Sequence, residues 1–554
     1  MAGTPSPRRS QLAWLALAIG LGVGLRLEQI ASQLLLEDEW HAVYRVAHQG
    51  PLAIFLDFGH SDSSIPLTLL YLAEAHAWGL SELAMRWPML AAGIATLVLF
   101  PAYVSRRFGY GETLLFAALL AISPLLFFFS RMARPYALTL LLVYAANVAF
   151  RRYVSGAAPR GCDAAGYAVS ATLAAWLHPI VVPFLIGPFV PAAWRWLRPA
   201  HGERRHGLLR LATLALGTGV PMGALLAPPL FAHPEALSLK SGADLPRADT
   251  LVGLWYHWFG TGSTGAVVLC AVLAIAGSSV VWRRLPEAPS LCAGVALCAA
   301  AIVAARPAWI GNPLTLARYL LPVLPLLLLA TACGALRIGR AAAAFLAARD
   351  NRIVANGIAA ALAAVPLAAL GATTPLAPVL GYPNASSLHL LYEFDFRAGR
   401  NPLVGHMAPI PLSPWWSRLA GRPRGSLAIA VAPFPVESAG WDAPRWQHLS
   451  RQRILSGFLT GMCATPRVNE VPDDARFRFR NAVHLADIDA LRAHRVDYVA
   501  WQKPYRYVAR DIDVEVGADV GDCGPALSAR FGAPAYEDEW LAVYAVPRRA
   551  PHAE

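Results

Sequence analysis

The segment EDEWHAVYRV, residues 37–46, is the first polar stretch after the first long apolar run of this 554-residue chain. Its apolar residues recur with the period of a helix, so that Trp40, Val43 and Tyr44 share one stripe while Arg45 falls on another face. Acidic residues at the start of such a helix are favoured by the helix dipole. The pattern predicts an amphipathic helix that lies along a membrane surface with its stripe towards the acyl chains.

Nearly the same letters recur near the C-terminus as EDEWLAVY, residues 537–544. No long apolar run accompanies them there, and Leu541 and Val543 alternate with their neighbours in the period of a strand. This second copy therefore predicts a turn that leads into a strand. The membrane context of residues 37–46, rather than the string alone, gives that segment its interpretation.

The composition is that of a membrane protein, because 56% of the residues are hydrophobic and only 15% are charged. Apolar runs of about 17 to 22 residues recur between residues 11 and 372, which predicts a polytopic α-helical protein. The net charge of +12 comes mainly from arginines that cluster between these runs. Such clusters indicate topology and give no reason to expect a nucleic-acid partner. The first run lacks a convincing cleavage site, so we expect it to remain as the first helix.

The arginine clusters set the expected topology. They lie at residues 8–9, 106–107, 151–160, 195–210, 283–284 and 337–352. Placing them in the cytoplasm puts the polar segments 31–65, 232–262 and 306–318 outside, together with the C-terminal tail. Four apolar runs then separate segment 31–65 from the cluster at 151–160, although an odd number is required. The run 66–80 is short and contains Glu74 and His76, so we predict that it is re-entrant or interfacial and that about eleven helices cross the membrane.

The composition changes near residue 373, where Pro, Arg, Asp and Trp become more frequent and no long apolar run returns. We predict a transmembrane domain over 1–372, with its first outer loop at 31–65, and a small α/β domain over 373–554. Within the second domain we predict strands at 427–432, 496–501 and 540–546 and helices at 443–455 and 485–494. The richness in Ala, Arg and Gly suggests a bacterial inner-membrane protein whose C-terminal domain is periplasmic. In that compartment Cys463 and Cys523 are predicted to form a disulfide.

Three segments share the outer side in this topology: the acidic helix, the junction around Ser130–Leu138, and the start of the run at Arg318. An isolated arginine at a membrane boundary usually extends its charge to the interface. Arg131, Arg134 and Arg318, however, lie on the side where positive charge is disfavoured, opposite an acidic segment. Guanidinium groups match phosphate geometry and stay charged, which favours a binding role for an anionic phosphate.

At these residues the sequence resembles the GT-C glycosyltransferases, with protein O-mannosyltransferases and aminoarabinose lipid A transferases as the nearest branch. The resemblance covers roughly residues 11–340 and rests on the order of several short motifs. These are Asp38-Glu39 after the first helix, His60 with Pro66-Leu67, Glu82 with Arg86-Trp87-Pro88, ARPYAL at 133–138, and RYLLP at 318–322. Membership would imply a polyprenyl-phosphate-linked sugar donor, transfer on the outer membrane face and inversion at the anomeric carbon.

The resemblance places the catalytic carboxylate on Asp38, with Glu39 as its neighbour. A carboxylate suits general-base activation of an acceptor hydroxyl, and arginines suit the phosphate leaving group. The predicted substrate-binding residues are His60, Asp62, Arg86, Arg131, Arg134, Tyr136, Arg318 and Tyr319. No cofactor is required by this chemistry, although Asp38, Glu39, His60 and Asp62 offer oxygen and nitrogen ligands for Mg²⁺ or Mn²⁺.

Two other classes of protein share these features. A lipid or glycan transporter would have a similar number of helices, but transporters favour inverted repeats and charges at the membrane midplane. A membrane-anchored interaction protein would leave Asp38 without a role. The sequence leaves the sugar and the acceptor open, and the acceptor is a glycan, a glycolipid or a protein.

Overall fold

The computed structural model describes residues 9–548 except for 29, 36, 60–63, 157–158, 198–203, 235–240, 243, 308–309, 347–351, 375–412, 433–445, 447–448, 459–461, 463–474, 510–511 and 517–522. Most of this chain is helical. In chain order the α-helices are α1 Arg9–Leu27, α2 Glu37–His48, α3 Pro51–Phe55, α4 Ile65–Ala77, α5 Glu82–Val104, α6 Tyr110–Ile122, α7 Pro124–Ser130, α8 Tyr136–Ser155, α9 Gly161–Leu177, α10 Val182–Ile186, α11 Phe189–Leu197, α12 Arg204–Ala232, α13 Ala248–Phe259, α14 Thr264–Arg284, α15 Ala288–Ala305, α16 Pro313–Tyr319, α17 Leu324–Leu346, α18 Arg352–Thr373, α19 Pro414–Arg418, α20 Ile488–Ala493 and α21 Gly524–Phe531.

The number of long apolar helices agrees with the prediction of a polytopic membrane protein. Among the described residues nine candidate spans are long and apolar enough to cross a membrane, and the bent pair α6–α7 makes up to ten. The nine fall on α1, α5, α8, α10 with α11, α12, α14, α15, α17 and α18. Helix α9 has 17 residues, or about 25 Å, and we count it as the eleventh span.

The apolar run 66–80 forms α4, which has 13 residues. At 1.5 Å per residue this helix is about 20 Å long, and it is shorter than the roughly 17 residues of the shortest membrane spans, a length that α9 does reach. The structure therefore supports the removal of this run from the list of spans. With eleven spans, each basic cluster falls on one side under the positive-inside rule.

Three ion pairs identify the two ends of the helical bundle. Glu39 and Arg86 form a pair near the start of α2, which defines what we call the α2 end. Arg151 pairs with Glu287 at 2.5 Å, and Arg151 lies about 22 Å along α8 from the first residue of that helix. Arg340 pairs with Glu112 at 3.0 Å. These last two pairs lie at the opposite end and use arginines of the predicted cytoplasmic clusters.

The predicted orientation of α2 is wrong in one respect. Trp40 and Val43 are 2% and 0% exposed, so this part of the stripe does not face acyl chains, whereas Tyr44 is 38% exposed. The buried part packs in one apolar cluster with Ile65 and Tyr71 of α4. Helix α4 does not cross the membrane. It packs against this face of α2, where we had expected lipid.

The C-terminal region contains a mixed sheet, as predicted for an α/β domain. Its strands are β1 Ala428–Ala432, β2 Arg453–Phe458, β3 Ala482–His484, β4 Tyr498–Gln502, β5 Tyr505–Ala509, β6 Ile512–Val516, β7 Tyr536–Glu537 and β8 Leu541–Ala545. Six strands form a sheet in the order β3-β2-β1-β4-β8-β7, in which β1 to β4 pair in parallel and β8 runs antiparallel to β4 and β7. Strands β5 and β6 form a separate antiparallel ribbon.

The three predicted strands coincide with β1, β4 and β8, and the predicted helix at 485–494 is α20. The side chain of Asp487 caps α20 by accepting hydrogen bonds from two backbone N–H groups. The predicted helix at 443–455 is wrong in its last residues, which begin β2. The proposed domain boundary at 373 stays a prediction, because α18 ends at Thr373 and residues 375–412 lie outside the described part.

Candidate active site at the α2 end

Glu39 is a buried carboxylate that joins three parts of the chain. Its Oε1 accepts hydrogen bonds from Arg86 Nε at 2.9 Å and from the backbone N–H of Ala133 at 2.7 Å. Its Oε2 accepts from Arg86 Nη2 at 2.7 Å. The two side chains are 0% exposed, and the paired contacts match the planar fork of a guanidinium. Glu39 therefore fixes α2 against both α5 and the chain that enters α8.

The guanidinium of Arg86 also donates hydrogen bonds to the segment that precedes α2. Its Nη1 donates to the carbonyl of Gln33 at 2.8 Å, and its Nη2 also donates to that of Leu34 at 2.6 Å. Every guanidinium nitrogen of Arg86 thus contacts protein. The predicted contact with substrate stays a prediction, whereas the observed role of Arg86 is to hold the entry to α2.

Residues 131–135 connect α7 to α8, and we call them the junction turn. Arg131 Nε donates to Gln33 Oε1 at 2.9 Å and its Nη1 donates to the carbonyl of Leu25 at 3.0 Å. Its buried Nη2 has no hydrogen-bond partner among the described residues. Burial lowers the pKa of Arg131 to about 9, so this side chain remains charged near neutral pH. A buried, charged donor without a partner favours an anionic ligand nearby.

Arg26 supports this turn from within the first span, although no sequence motif singled it out. Its guanidinium donates to the carbonyls of Leu120 and Ala121 at 3.4 and 3.3 Å and to Ser130 Oγ at 3.1 Å. The carbonyls at the end of α6 lack helical partners because Pro124 starts a new helix at an angle of 58°. A lone arginine in the last turn of an apolar run was the available signal.

Gly93 of α5 lets the end of α7 approach closely. A Cβ atom at this position would lie 2.1 Å from Ser130 Oγ and 2.5 Å from Ser130 Cβ. Only glycine therefore permits this packing of α5 against Ser130 without a shift of the chain.

One further predicted residue, Arg318, lies beside the Tyr136 ring just after the junction turn. The guanidinium of Arg318 lies 5.8 Å from the centre of the Tyr136 ring, a distance suited to a cation–π contact. The same ring lies 5.3 Å from that of His178, which also ends α9. Arg134 is 7% exposed, and Tyr319 is half-buried. The structure thus brings Arg134, Tyr136 and Arg318 to the α2 end, and it adds His178, the residue that follows α9.

Asp38 lies in the first turn of α2, but its side chain is outside the described part of the structure. His60 and Asp62 also lie outside the described residues. The backbone nevertheless constrains Asp38. Glu39 and Ala133 share a 2.7 Å hydrogen bond, and Asp38 and Arg134 are their immediate neighbours. Because consecutive Cα atoms are about 3.8 Å apart, Asp38 and Arg134 belong to the same end of the molecule.

A metal site is not supported by the residues whose side chains are described. They contain no group of three His, Cys, Asp or Glu side chains that could hold an ion. Both oxygens of Glu39 are engaged by Arg86, whose positive charge disfavours a second cation. The other predicted ligands, Asp38, His60 and Asp62, have no described side chains, so a metal site that includes them stays a prediction.

The C-terminal region has a cavity of about 450 Å³ that is lined by residues such as Trp501, Lys503 and Tyr544. Cys523 is disulfide-bonded. Its predicted partner Cys463 lies outside the described residues, so this pairing stays a prediction.

No protein-family model and no curated protein matches the chain. Among solved structures it is similar to ArnT from Cupriavidus metallidurans bound to undecaprenyl phosphate, with 12% identity, a TM-score of 0.43 and coverage of 97% of this chain and 98% of that chain. It is also similar to the oligosaccharyltransferase of Archaeoglobus fulgidus, with 13% identity, a TM-score of 0.39 and coverage of 89% and 69%. A third similarity is to the arabinosyltransferase EmbB of Mycobacterium smegmatis, with 14% identity, a TM-score of 0.42 and coverage of 79% and 50%.

All three are GT-C glycosyltransferases, the superfamily that the sequence motifs resemble. Similarity at this level leaves the activity to be argued from the residues of the chain itself.

Proposed function

We propose that this chain is an inverting membrane glycosyltransferase that moves a sugar from a polyprenyl-phosphate donor to a hydroxyl group of a cell-envelope acceptor. The observation that carries the proposal is the hydrogen bond from the Ala133 backbone to Glu39. It joins the acidic start of α2 to the arginine-containing junction turn. The motifs at Asp38-Glu39 and at 133–138, nearly one hundred residues apart in sequence, therefore form one site.

In this proposal Asp38 is the general base. An acceptor hydroxyl is a weak nucleophile near neutral pH, and a carboxylate that takes its proton raises its reactivity. The acceptor oxygen attacks the anomeric carbon, and the bond from that carbon to the phosphate oxygen breaks. The new glycosidic bond lies on the face opposite the leaving group, so the configuration is inverted. The proton ends on Asp38.

The arginines stabilise the departing phosphate. The leaving group already carries negative charge, so it needs no general acid, and fixed positive charge lowers the energy of the transition state. Arg318 lies beside the Tyr136 ring, Arg134 is buried in the junction turn, and Arg131 has a buried Nη2 that no described group accepts from. We propose that these three residues bind the lipid phosphate and that His178 and Tyr136 line the space around it.

We assign the base to Asp38 and not to Glu39, because the Glu39 carboxylate is buried and already bound within the protein. Both of its oxygens already accept hydrogen bonds from Arg86, and one also accepts from Ala133. We therefore assign Glu39 a positioning role next to Asp38.

The test uses the purified chain in lipid nanodiscs with polyprenyl-phosphate-linked sugars as donors and an envelope extract of its host as acceptor. Mass spectrometry measures the glycosylated product and the released polyprenyl phosphate. We expect Asp38→Asn to abolish transfer while leaving the thermal unfolding profile intact. Asp244→Asn is the matched control, because Asp244 is exposed and pairs with Arg247 in the segment before α13.

Normal transfer by Asp38→Asn would refute the assignment of the base. Failure of the wild-type chain to release polyprenyl phosphate from any donor, combined with movement of the lipid between leaflets, would instead favour the transporter class.

A further inference from the structure

The segment Arg476–Asn481 of the C-terminal region crosses to the membrane helices. It pairs with the loop before α5 through two backbone hydrogen bonds. Leu80 donates to the carbonyl of Arg476 at 2.6 Å, and Arg478 donates to that of Leu80 at 2.7 Å. Gly79, with φ of +89°, permits this approach, because a Cβ there would lie 2.7 Å from the Arg478 side chain. We call residues 476–481 the clasp.

A buried carboxylate fixes the end of the clasp. Glu82 is 4% exposed and lies in the first turn of α5. Its Oε2 accepts from the backbone N–H of Arg480 at 3.0 Å, and its Oε1 accepts from that of Asn481 at 2.8 Å. Hydrogen bonds to an ionised carboxylate are stronger than those between neutral groups. Glu82 thus joins residues that are 398 and 399 positions away along the chain.

The clasp also reaches α2 itself. Asn481 Nδ2 donates to the carbonyl of Ala31 at 3.0 Å, in the segment that leads into α2. The ring of Phe479 lies 5.4 Å from that of Trp40, and Phe477 stacks on Phe479 at 6.0 Å. Trp40 is the residue after Glu39. The first turn of α2 is therefore held from two sides, by the membrane helices at Glu39 and by the clasp at Trp40.

We propose that the clasp positions α2, and with it Asp38, for transfer, and that Glu82 and Phe479 are positioning residues of the reaction. This inference rests on the function proposed above. Helix α2 has 12 residues, and its acidic start follows an irregular segment. A short helix is only marginally stable without tertiary contacts, so the aromatic contact with the clasp decides how rigidly its first turn is held.

The test compares Phe479→Ala with Phe531→Ala. Both substitutions remove a half-buried phenylalanine from the C-terminal region, but Phe531 packs on Tyr544 and does not touch α2. Hydrogen exchange of the full-length protein in nanodiscs should show faster exchange of α2 amides in Phe479→Ala and unchanged exchange in α8. Turnover with the polyprenyl-phosphate sugar should fall about 10- to 100-fold, because small misplacements of a catalytic group are costly. The KM for this donor should stay within about twofold.

Phe479→Tyr should restore both the exchange rate and most of the turnover, because the ring remains. Glu82→Gln should loosen the clasp in the same way, since an amide cannot accept at both of its polar atoms, whereas Glu537→Gln should leave α2 unchanged. Unchanged exchange of α2 in both Phe479→Ala and Glu82→Gln would overturn the clasp. If α2 loosens while Asp38→Asn still transfers sugar at the normal rate, the clasp holds α2 but the proposed function is wrong.

Discussion

At the scale of single residues, the pair formed by Glu39 and Arg86 organises the α2 end. Arg86→Lys keeps the positive charge but removes the planar fork that serves Glu39 and two backbone carbonyls. We expect the free energy of unfolding in detergent to fall by about 3 kcal/mol, since disruption of a buried ion pair is strongly destabilising. Arg106→Lys is the control, because Arg106 is exposed at the opposite end. Equal thermal stability of the two variants would contradict this role.

His257 of α13 predicts a pH dependence of stability. It is buried, and burial lowers its pKa from 6.5 to about 3. As the pH falls, the unfolded chain therefore binds the proton before the folded chain does. The contribution of His257 is complete above about pH 6.5 and decreases as the pH falls towards 3.

His257→Phe should accordingly show a weaker loss of thermal stability between pH 7.5 and pH 5 than the wild-type chain. The measurement is the unfolding temperature of each protein in detergent across this range. Identical slopes would show that His257 is already charged or exposed in the folded state.

Single residues also show what a sequence can predict. Asp38-Glu39 and 538–539 stand in nearly the same string, and their apolar surroundings correctly distinguished a helix from a turn before a strand. The arginines of the junction turn were found because positive charge is unusual on that side of the membrane. Arg26 was missed, because its partners are carbonyls that become available only when α6 ends at a proline.

At the scale of elements, the bend between α6 and α7 sets the position of the junction turn. Gly93→Ala should shift Ser130, because the new Cβ would overlap its side chain. Alanine is intrinsically better than glycine in a helix by about 1 kcal/mol, so any loss must come from this contact. Gly24→Ala is the matched control, since a Cβ at Gly24 meets nothing within 4 Å.

We expect Gly93→Ala to reduce sugar transfer at least about tenfold, whereas Gly24→Ala should retain it. Transfer and thermal stability measured on the same preparations separate a displaced turn from general unfolding. Full activity of Gly93→Ala would mean that the position of Ser130 is unimportant.

The packing of α4 on α2 explains the one incorrect orientation. The spacing of apolar residues along α2 shows that one face of the helix avoids water, but it does not distinguish a lipid from a protein neighbour. Helix α4 packs over Trp40 and Val43 because it does not cross the membrane. The sequence did suggest that α4 does not cross. The apolar stripe was predicted correctly, and its partner was not.

At the scale of the whole molecule, eleven spans and the positive-inside rule predict that both the α2 end and the C-terminal region are outside the cytoplasm. The background is a variant in which serine replaces the five cysteines that are free among the described residues. In intact cells a membrane-impermeant maleimide should label Ser241→Cys in the loop before α13. It should label Ser105→Cys, at the end of α5, only after the membrane is permeabilised. The reverse pattern would invert the topology.

The long-range contacts mark the limit of sequence reasoning for this molecule. Helix lengths, charge clusters and strand patterns are local properties, and they predicted the architecture well. The clasp joins Glu82 to Asn481 across 399 positions, and no periodicity in either segment indicates the other. The sequence therefore predicted candidate site residues. It did not predict that the C-terminal region contacts the segments that hold them.

The central claim is that Asp38 and the three arginines assigned to the donor, Arg131, Arg134 and Arg318, face one lipid-borne phosphate. A structure determined by electron cryomicroscopy with added polyprenyl phosphate tests it most directly. We predict that the phosphate lies within about 3 Å of guanidinium nitrogens of Arg134 and Arg318 and that the Asp38 carboxylate faces this phosphate. A phosphate bound at the opposite end, or an Asp38 side chain directed away from the phosphate, would contradict this claim.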